Sequence, residues 1–418
     1  MLAPPWLPVP PVGYGGLENV VDVLVPELMK LGHTVELFTI GESAIKASKK
    51  HSLYKVRQYK YITDPIYNTL PIATAQTLFA LNKVQQAGDF DIIHSHNGFV
   101  DPLAGAYADD LPPIVHTLHG PPFTTEDRLA LNLPDNLPMW RELGKSQTLG
   151  KRNNVFIVPI SKALMANAPR QLKPIALKHV HNGVNPAQFP FVTDKSDYFI
   201  TLGRFHPDKG WAVAARACSR LGYRLRLAGI VGDMARPKQV MMELANPLSK
   251  YRGLIDFKYF SDQIFPHLDD DRIEYVGDLS GQNKFEFISH ARALLFPIQW
   301  DEPFGMVAIE ALACGTPVVA MARGALPEII QHGVNGFLAR DVSEFETYMQ
   351  RVDEIDPAAC RKSVEDKFSA RHMAAQYVRR YEEALKRRQK REQSLHLRQI
   401  RPAIGKRLPS LKPRLATS

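Results

Sequence analysis

The 418-residue chain is 45% apolar and 23% charged, the balance of a globular protein with real cores, and its length suits two or three domains. Its three cysteines, Cys218, Cys314 and Cys360, stand far apart in no Cys-x-x-Cys spacing, which argues for a reducing compartment and against a disulfide framework or structural zinc. The net charge of +9 is local. Residues 386–418 hold eleven Lys and Arg against Glu392 alone, so residues 1–385 are close to neutral and offer no extended positive surface to a nucleic acid.

No apolar run reaches the roughly 18 residues of a spanning helix, and MLAPPWLPVPP lacks the basic start and apolar stretch of a signal peptide. The expectation is a soluble, cytoplasmic protein. PPWLPVPPVGYGG is a Pro- and Gly-rich loop. LENVVDVLVPELMKLGH then carries apolar residues at helical spacing up to Gly32, with Pro26 placed to kink the helix or split its first turns. TVELFTI, DIIHSH (91–96), PIVHTLHG (113–120) and VFIVPIS (155–161) are short β-branched runs ending at small or polar residues, with helix-like segments between them. That rhythm predicts a parallel α/β sheet with ligands at the carboxyl ends of its strands. Only MLAPP precedes the loop, so the opening strand is very short or the chain lacks a few N-terminal residues.

Periodicity lapses around 186–197 and the cycle restarts. YFITLGRF, YRLRLAGI, RIEYVGDL, ARALLFPI, TPVVAMA and GFLA read as strands of a second α/β unit. The expected division is residues 1–188 for an N-terminal domain, 189–365 for a C-terminal one, 366–390 for a helix crossing back to the first domain, and 391–418 for a basic tail without fixed structure. Beyond Leu397 no periodicity remains.

DEPFGMVAIEALACGTPVVA (301–320) carries the chemistry. Pro303 suits a first helical turn, MVAIEALA propagates the helix and Gly315 can end it. Phe304, Gly305 and Met306 then offer free backbone N–H groups at a helix N-terminus, a natural anion site. Glu302 lies just outside that end. Glu310, the only charge between Pro303 and Ala322, needs a hydrogen-bonding partner. The plain alternatives are a carboxylate at the helix dipole for Glu302 and a structural salt bridge for Glu310. An anion site flanked by two carboxylates fits a ligand with a diphosphate in the middle and polyhydroxylated ends, as a nucleotide sugar has.

This Glu, seven residues, Glu segment resembles the signature of retaining family-4 glycosyltransferases. That likeness implies two Rossmann-like doubly wound α/β domains facing across a cleft, the GT-B fold. GYGGLE (13–18), HNGVN (181–185) and GRFHPDKG (203–210) resemble, in the family's order, the glycine loop facing the donor phosphates, the interdomain hinge and the Gly-Arg…Lys-Gly turn. Read on their own residues, Arg204 and Lys209 are cations across a turn that can neutralise a leaving diphosphate, and Gly15 and Gly16 permit close backbone approach to an anion. The resemblance implies that Glu310 binds ribose hydroxyls, that Glu302 and the amides of 304–306 hold sugar and diphosphate, and that His119 lies near the reacting sugar carbon. His94 and His96 read as strand-end packing.

By the same resemblance the reaction is retaining hexosyl transfer from a nucleotide-diphosphate sugar, by same-face displacement, with no cofactor and no metal. Asp89-Phe90-Asp91 and the run Asp269 to Asp271 fit an Asp-x-Asp metal pattern but sit where acidic turn residues are commonplace. A nucleotide-sugar epimerase or a phosphorylase of the same fold is the alternative, and nucleic-acid binding through the tail is disfavoured because residues 386–418 contain no aromatic. The basic segment beside LHLRQI could lie on an anionic membrane surface at the inner face, and a truncation of 391–418 is expected to leave donor binding intact. The acceptor, unidentified, would meet the first domain around Trp6, Tyr14 and PPFTTEDRLALNLPDNLPMW.

Overall fold

The computed structural model describes residues 1–405 apart from 14, 60–65, 107, 109, 121–135, 150–153, 167 and 270. Tyr14, most of the 121–140 stretch, Asp270 and the end of the basic tail therefore lie outside the described residues.

In the first unit, β1 (Glu36–Phe38), β2 (Lys49–His51), β3 (Ile93–Ser95), β4 (Ile114–Leu118) and β5 (Val155–Pro159) pair in parallel as β1 with β2, β3 with β4 and β4 with β5. Leu2 makes single parallel bridges to both Phe38 and Ser95, so one residue stands where an opening strand would and joins the two halves. The resulting order is β2-β1-Leu2-β3-β4-β5. The second unit holds β6 (Tyr198–Leu202), β7 (Arg224–Ala228), β8 (Ile273–Gly277), β9 (Ala293–Phe296), β10 (Val318–Met321) and β11 (Gly336–Ala339), ordered β11-β10-β9-β6-β7-β8. Both orders reverse beside their first strand, the doubly wound arrangement that opens a crevice at the carboxyl ends.

The first unit's helices are α1 (Gly16–Lys30), α2 (Ile66–Ala87), α3 (Val100–Ala106) and α4 (Leu137–Leu149). The second has α5 (Trp211–Leu221), α6 (Pro237–Ala245), α7 (Ile255–Tyr259), α8 (Gly281–Ser289), α9 (Met306–Ala313), α10 (Leu326–Ile329), α11 (Val342–Gln350) and α12 (Pro357–Lys367), and α13 (Ala370–Gly405) closes the chain. α1 runs unbroken through Pro26 and buries Val20, Val21, Leu24, Val25 and Leu28. That face packs against Met373, Ala374 and Tyr377 of α13, so the last helix rests on the first unit.

α13 also reaches beyond the expected end at residue 390. Its Lys, Arg, Gln and Leu are strong helix formers, and a helix nucleated by packing adds one bond per residue as it propagates. Part of the basic run is not solvated. Arg387 donates to the carbonyls of Pro174 and Ala176 at 3.1 and 3.2 Å, and Arg388 to that of Leu111 at 2.5 Å.

The chain crosses between units twice, at one place. Val184 N donates to Phe368 O at 2.9 Å and Ala370 N to Val184 O at 2.7 Å. A Cβ on Gly183 would lie 2.7 Å from the Ser369 carbonyl oxygen, so the second residue of the Asn-Gly pair must be glycine for the crossings to touch.

At the carboxyl ends of β3 and β4 lies a buried polar layer. His94 bonds Tyr381 Oη at 2.7 Å and Thr117 Oγ1 at 2.8 Å, and Thr117 in turn meets Tyr377 Oη at 2.8 Å. Ser95 Oγ meets His116 Nδ1 at 2.9 Å and donates to Asp101, which also accepts from Thr77. Burial pushes the His94 and His96 imidazoles well below their ordinary range, His116 down to about 3 and His119 to about 4. Burial pushes the Asp101 carboxyl up to about 6, against the hydrogen bonds it accepts.

Two expectations follow. Each histidine's folded pKa is below its unfolded value near 6.5, so its contribution is intact above that pH and is lost as acid protonates the unfolded chain first. At pH 5 this costs about 2 kcal/mol per fully buried histidine, whereas relief of Asp101 returns about 1 kcal/mol over the same interval. Melting scans from pH 7 to pH 5 should therefore show falling stability; a rise would mean that Asp101 dominates. Gly210 has φ 68°, and a Cβ there would lie 1.8 Å from the Pro297 carbonyl oxygen. Gly210→Ala should cost more than about 2 kcal/mol in denaturant unfolding, and more than Gly222→Ala, which has a similar φ of 72° but meets nothing within 4 Å and should cost about 1 kcal/mol.

Candidate functional site

The loop from β9 into α9 is shaped by its glycines. Gly305 caps α9 with φ 98°, and no side chain caps that helix end. A Cβ on Gly305 would approach Leu326 Cδ2 to 3.0 Å, so both conformation and space select glycine. Phe304 is buried, its ring 5.8 Å from that of His181 and 6.2 Å from that of Phe368, which makes its side chain an anchor at the crossing between units. Ser161 Oγ of the first unit donates to the Pro303 carbonyl at 2.7 Å, and Met306 packs against the first unit's core. The uncapped start of α9 thus opens at the seam between the two units, where its N–H groups carry partial positive charge.

Charges converge on this seam from three segments. Lys209, in the turn after β6, donates to Glu302 Oε2 at 2.8 Å, and Trp300 Nε1 donates to the same oxygen at 2.9 Å. The ammonium also lies 5.4 Å from the Trp300 ring centroid. Lys209 and Glu302, ninety-three residues apart, are therefore one unit. Glu302's backbone is fixed as well: Ala325 N donates to its carbonyl at 2.9 Å, and a Cβ on Gly324 would come within 2.3 Å of its amide nitrogen.

Glu310 finds its partner in Lys284 of α8, with Nζ 2.8 Å from Oε1 and 2.7 Å from Oε2. That is the salt bridge named above as the plain alternative, and it involves a lysine that sequence reading passed over because α8 carries no motif. Arg204 is exposed and has no ion-pair partner among the described residues, so its guanidinium is available to a ligand. Burial raises the nearby Asp256 carboxyl, and Arg204 opposes that rise.

In the first unit α1 starts at Gly16, and its N-cap Gly15 offers no side chain to the helix end. The two glycines differ. A Cβ on Gly16 would meet nothing within 4 Å, whereas one on Gly15 would strike Pro11 Cβ at 2.5 Å. Gly15 is thus required by its own loop, and Gly16 leaves open space. Glu18 is buried in the same turn, and burial raises its carboxyl. His119 is half-buried after β4, with Nε2 2.8 Å from His96 Nδ1. His94 is packed at the strand end as expected. His96 is packed there too, its ring 4.2 Å from that of His94, and it also reaches across to His119.

Among the described residues one trio could hold a metal, His179, His181 and Glu328, whose ligand atoms lie within 4.8 Å of one another. Glu328 is already committed, accepting from His181 Nε2 at 2.9 Å and from the amides of Lys162 and Ala163 at 3.0 and 2.9 Å. Despite burial, those bonds hold its carboxyl below the usual range. The trio reads as a tie between units. Asp269 Oδ1 accepts from the amides of Asp271, Arg272 and Ile273, a turn-capping carboxylate, and Asp89 and Asp91 are exposed at the amino end of β3, away from the crevice. The three cysteines are free and buried, and burial pushes each thiol up to about 12.

Comparison with known proteins matches the same two units. Residues 14–188 match the model for Glycosyltransferase Family 4 and residues 187–355 that for Glycosyl transferases group 1. The D-inositol 3-phosphate glycosyltransferase of Mycolicibacterium vanbaalenii is 27% identical over 84% of this chain and 81% of its own. Among solved structures, sucrose-phosphate synthase from Thermosynechococcus elongatus superposes with a TM-score of 0.64 at 21% identity, covering 91% of this chain and 97% of that one. Anabaena HepE in complex with UDP and glucose does so at 0.57 and 17% identity, covering 90% and 97%. With two doubly wound units meeting at an uncapped helix end, the chain belongs to the family-4 glycosyltransferases and is a hexosyltransferase of the GT-B fold.

Proposed function

We propose that the protein transfers a hexosyl group, with retention of anomeric configuration and without a metal, from a nucleotide-diphosphate sugar to an acceptor hydroxyl. The observation that carries this reading is the Lys209–Glu302 pair beside the uncapped start of α9 with Arg204 unpaired nearby. In it, the amides of Phe304, Gly305 and Met306, with Arg204 and Lys209, receive the diphosphate. Glu302 accepts from sugar hydroxyls, and Glu310 accepts from the ribose while keeping Lys284 as its fixed partner. Gly16 leaves room for the donor on the opposite wall, and Gly15 shapes that loop. His119 stands at the carboxyl end of the first sheet, where the sugar would lie.

The step needs charge stabilisation above all. The bond from the anomeric carbon to the diphosphate oxygen breaks and its electron pair stays on that oxygen, so negative charge grows between Arg204, Lys209 and the α9 amides. Groups that bind this charge more strongly than the ground state lower the barrier. The acceptor oxygen bonds to the same face of the anomeric carbon, and its proton passes to the departing phosphate oxygen. Fixed cations and a helix end supply what a divalent ion would otherwise provide. The basic run on α13 is proposed as a peripheral contact with anionic lipid, through its cations other than Arg387 and Arg388, which bond to carbonyls of the first unit.

Thermal-shift titration with UDP, GDP, ADP and their hexose conjugates tests the donor site. A nucleotide at a hundred times its Kd should add about 2.7 kcal/mol of stability, and Glu310→Ala should abolish that gain. Arg204→Ala should lower kcat/KM by about 100-fold or more while changing stability by no more than about 0.5 kcal/mol, since the residue is exposed. If no nucleotide stabilises the folded wild type, the donor site is wrong. Turnover should persist in excess EDTA, and the product's anomeric configuration by NMR should match the donor's; activity that is lost in EDTA and restored by a divalent ion would overturn the metal-free scheme.

A further inference from the structure

We propose that His96 is a positioning residue that fixes the proton of His119 on Nδ1, so that His119 meets the donor sugar as a hydrogen-bond donor. The functional half of this rests on the reading of His119 given above. β3 and β4 are neighbouring parallel strands, and their carboxyl ends bring the two rings together with His96 Nδ1 2.8 Å from His119 Nε2. Both imidazoles are held neutral by burial. A single proton therefore lies between them, and one nitrogen donates while the other accepts.

The direction follows from the far side of His96. Its Nε2 is buried and has no hydrogen-bond partner among the described residues. If His119 Nε2 donated, His96 would carry its own proton on Nε2, leaving a buried N–H with nothing to bind. If His96 Nδ1 donates, Nε2 is a bare lone pair instead. Buried N–H groups left without an acceptor are rarer in folded proteins than acceptors left without a donor. His96 is then the Nδ1–H tautomer, and His119, accepting at Nε2, must keep its proton on Nδ1.

The packing around His96 supports the assignment. The His94 ring lies 4.2 Å from that of His96, and His94 is itself held at both nitrogens, by Tyr381 and Thr117. His96 thus rests against a ring that cannot turn, and it passes that fixity to the half-buried ring of His119. The consequence is chemical. His119 offers an N–H to a ligand oxygen and no lone pair, so it serves as a hydrogen-bond donor to a sugar oxygen and not as a base.

Long-range nitrogen–proton NMR on the full chain with labelled histidines reads the tautomer without any substrate, and His119→Gln identifies the signal. The expected spectrum has His119 protonated at Nδ1 and bare at Nε2. His96→Asn, whose amide nitrogen stands in for Nδ1, should preserve that pattern. His96→Phe should lose it, moving His119 to a mixed or Nε2–H state, and His96→Gln, whose donor falls at the Nε2 place, serves if the phenylalanine variant does not fold. Turnover should drop by about 10-fold or more in His96→Phe with little change in donor KM, and return in His96→Asn. A wild-type His119 carrying its proton on Nε2, or a tautomer unmoved in His96→Phe and His96→Gln, would overturn the proposal. A tautomer that shifts while turnover stays constant would support the link and refute the placement of His119 beside the sugar.

Discussion

A buried carboxylate needs partners that answer its charge, and the two buried acidic residues of the 301–320 segment, Glu302 and Glu310, each find one in a lysine. Lys209 comes from the turn after β6 and Lys284 from α8, so the two ion pairs lace the β9–α9 connection to its neighbours on either side. Neither pair is sealed in an apolar core. In the function proposed above, a polyhydroxylated ligand adds hydrogen bonds to each carboxylate without removing its lysine.

The two units contribute different kinds of chemistry. The second brings fixed charge and a helix end. The first brings a layer of neutral imidazoles and hydroxyls, His94, Ser95, His116, Thr117 and His119, knit together with tyrosines from α13. In the function proposed above, cations on one wall and a layer of neutral donors and acceptors around Asp101 on the other suit a ligand whose diphosphate and sugar lie on different sides. The last helix thus belongs to the first unit's polar layer as much as to its core.

Much of this was legible in the sequence. Ten of the eleven strands among the described residues announce themselves as short apolar runs, and the paired carboxylates stand out because Glu310 interrupts an apolar stretch. The exceptions have physical reasons. β2 reads Lys-Lys-His, an edge strand with no buried face to leave an apolar signal, and the opening strand is the single residue Leu2, too short for any periodicity. Lys284 escaped notice because an ion pair across 26 residues leaves no local trace. His96 reads as packing alone because alternation along a strand shows which face a side chain takes, not which neighbouring strand's residue it will touch. α13 outlasted its apolar periodicity because helix-forming charged residues propagate a helix that packing has already nucleated.

The paired crossings at Val184 and Ser369 have a mechanical consequence. Two separate covalent connections between bodies usually act as two tethers, and a pair of distant tethers confines rotation to the line that joins them. Here both pass through one point and are joined by backbone hydrogen bonds, so together they form a single pivot. The glycine that lets them touch, Gly183, is thereby a joint: rotation of one wall against the other about that point leaves both connections whole.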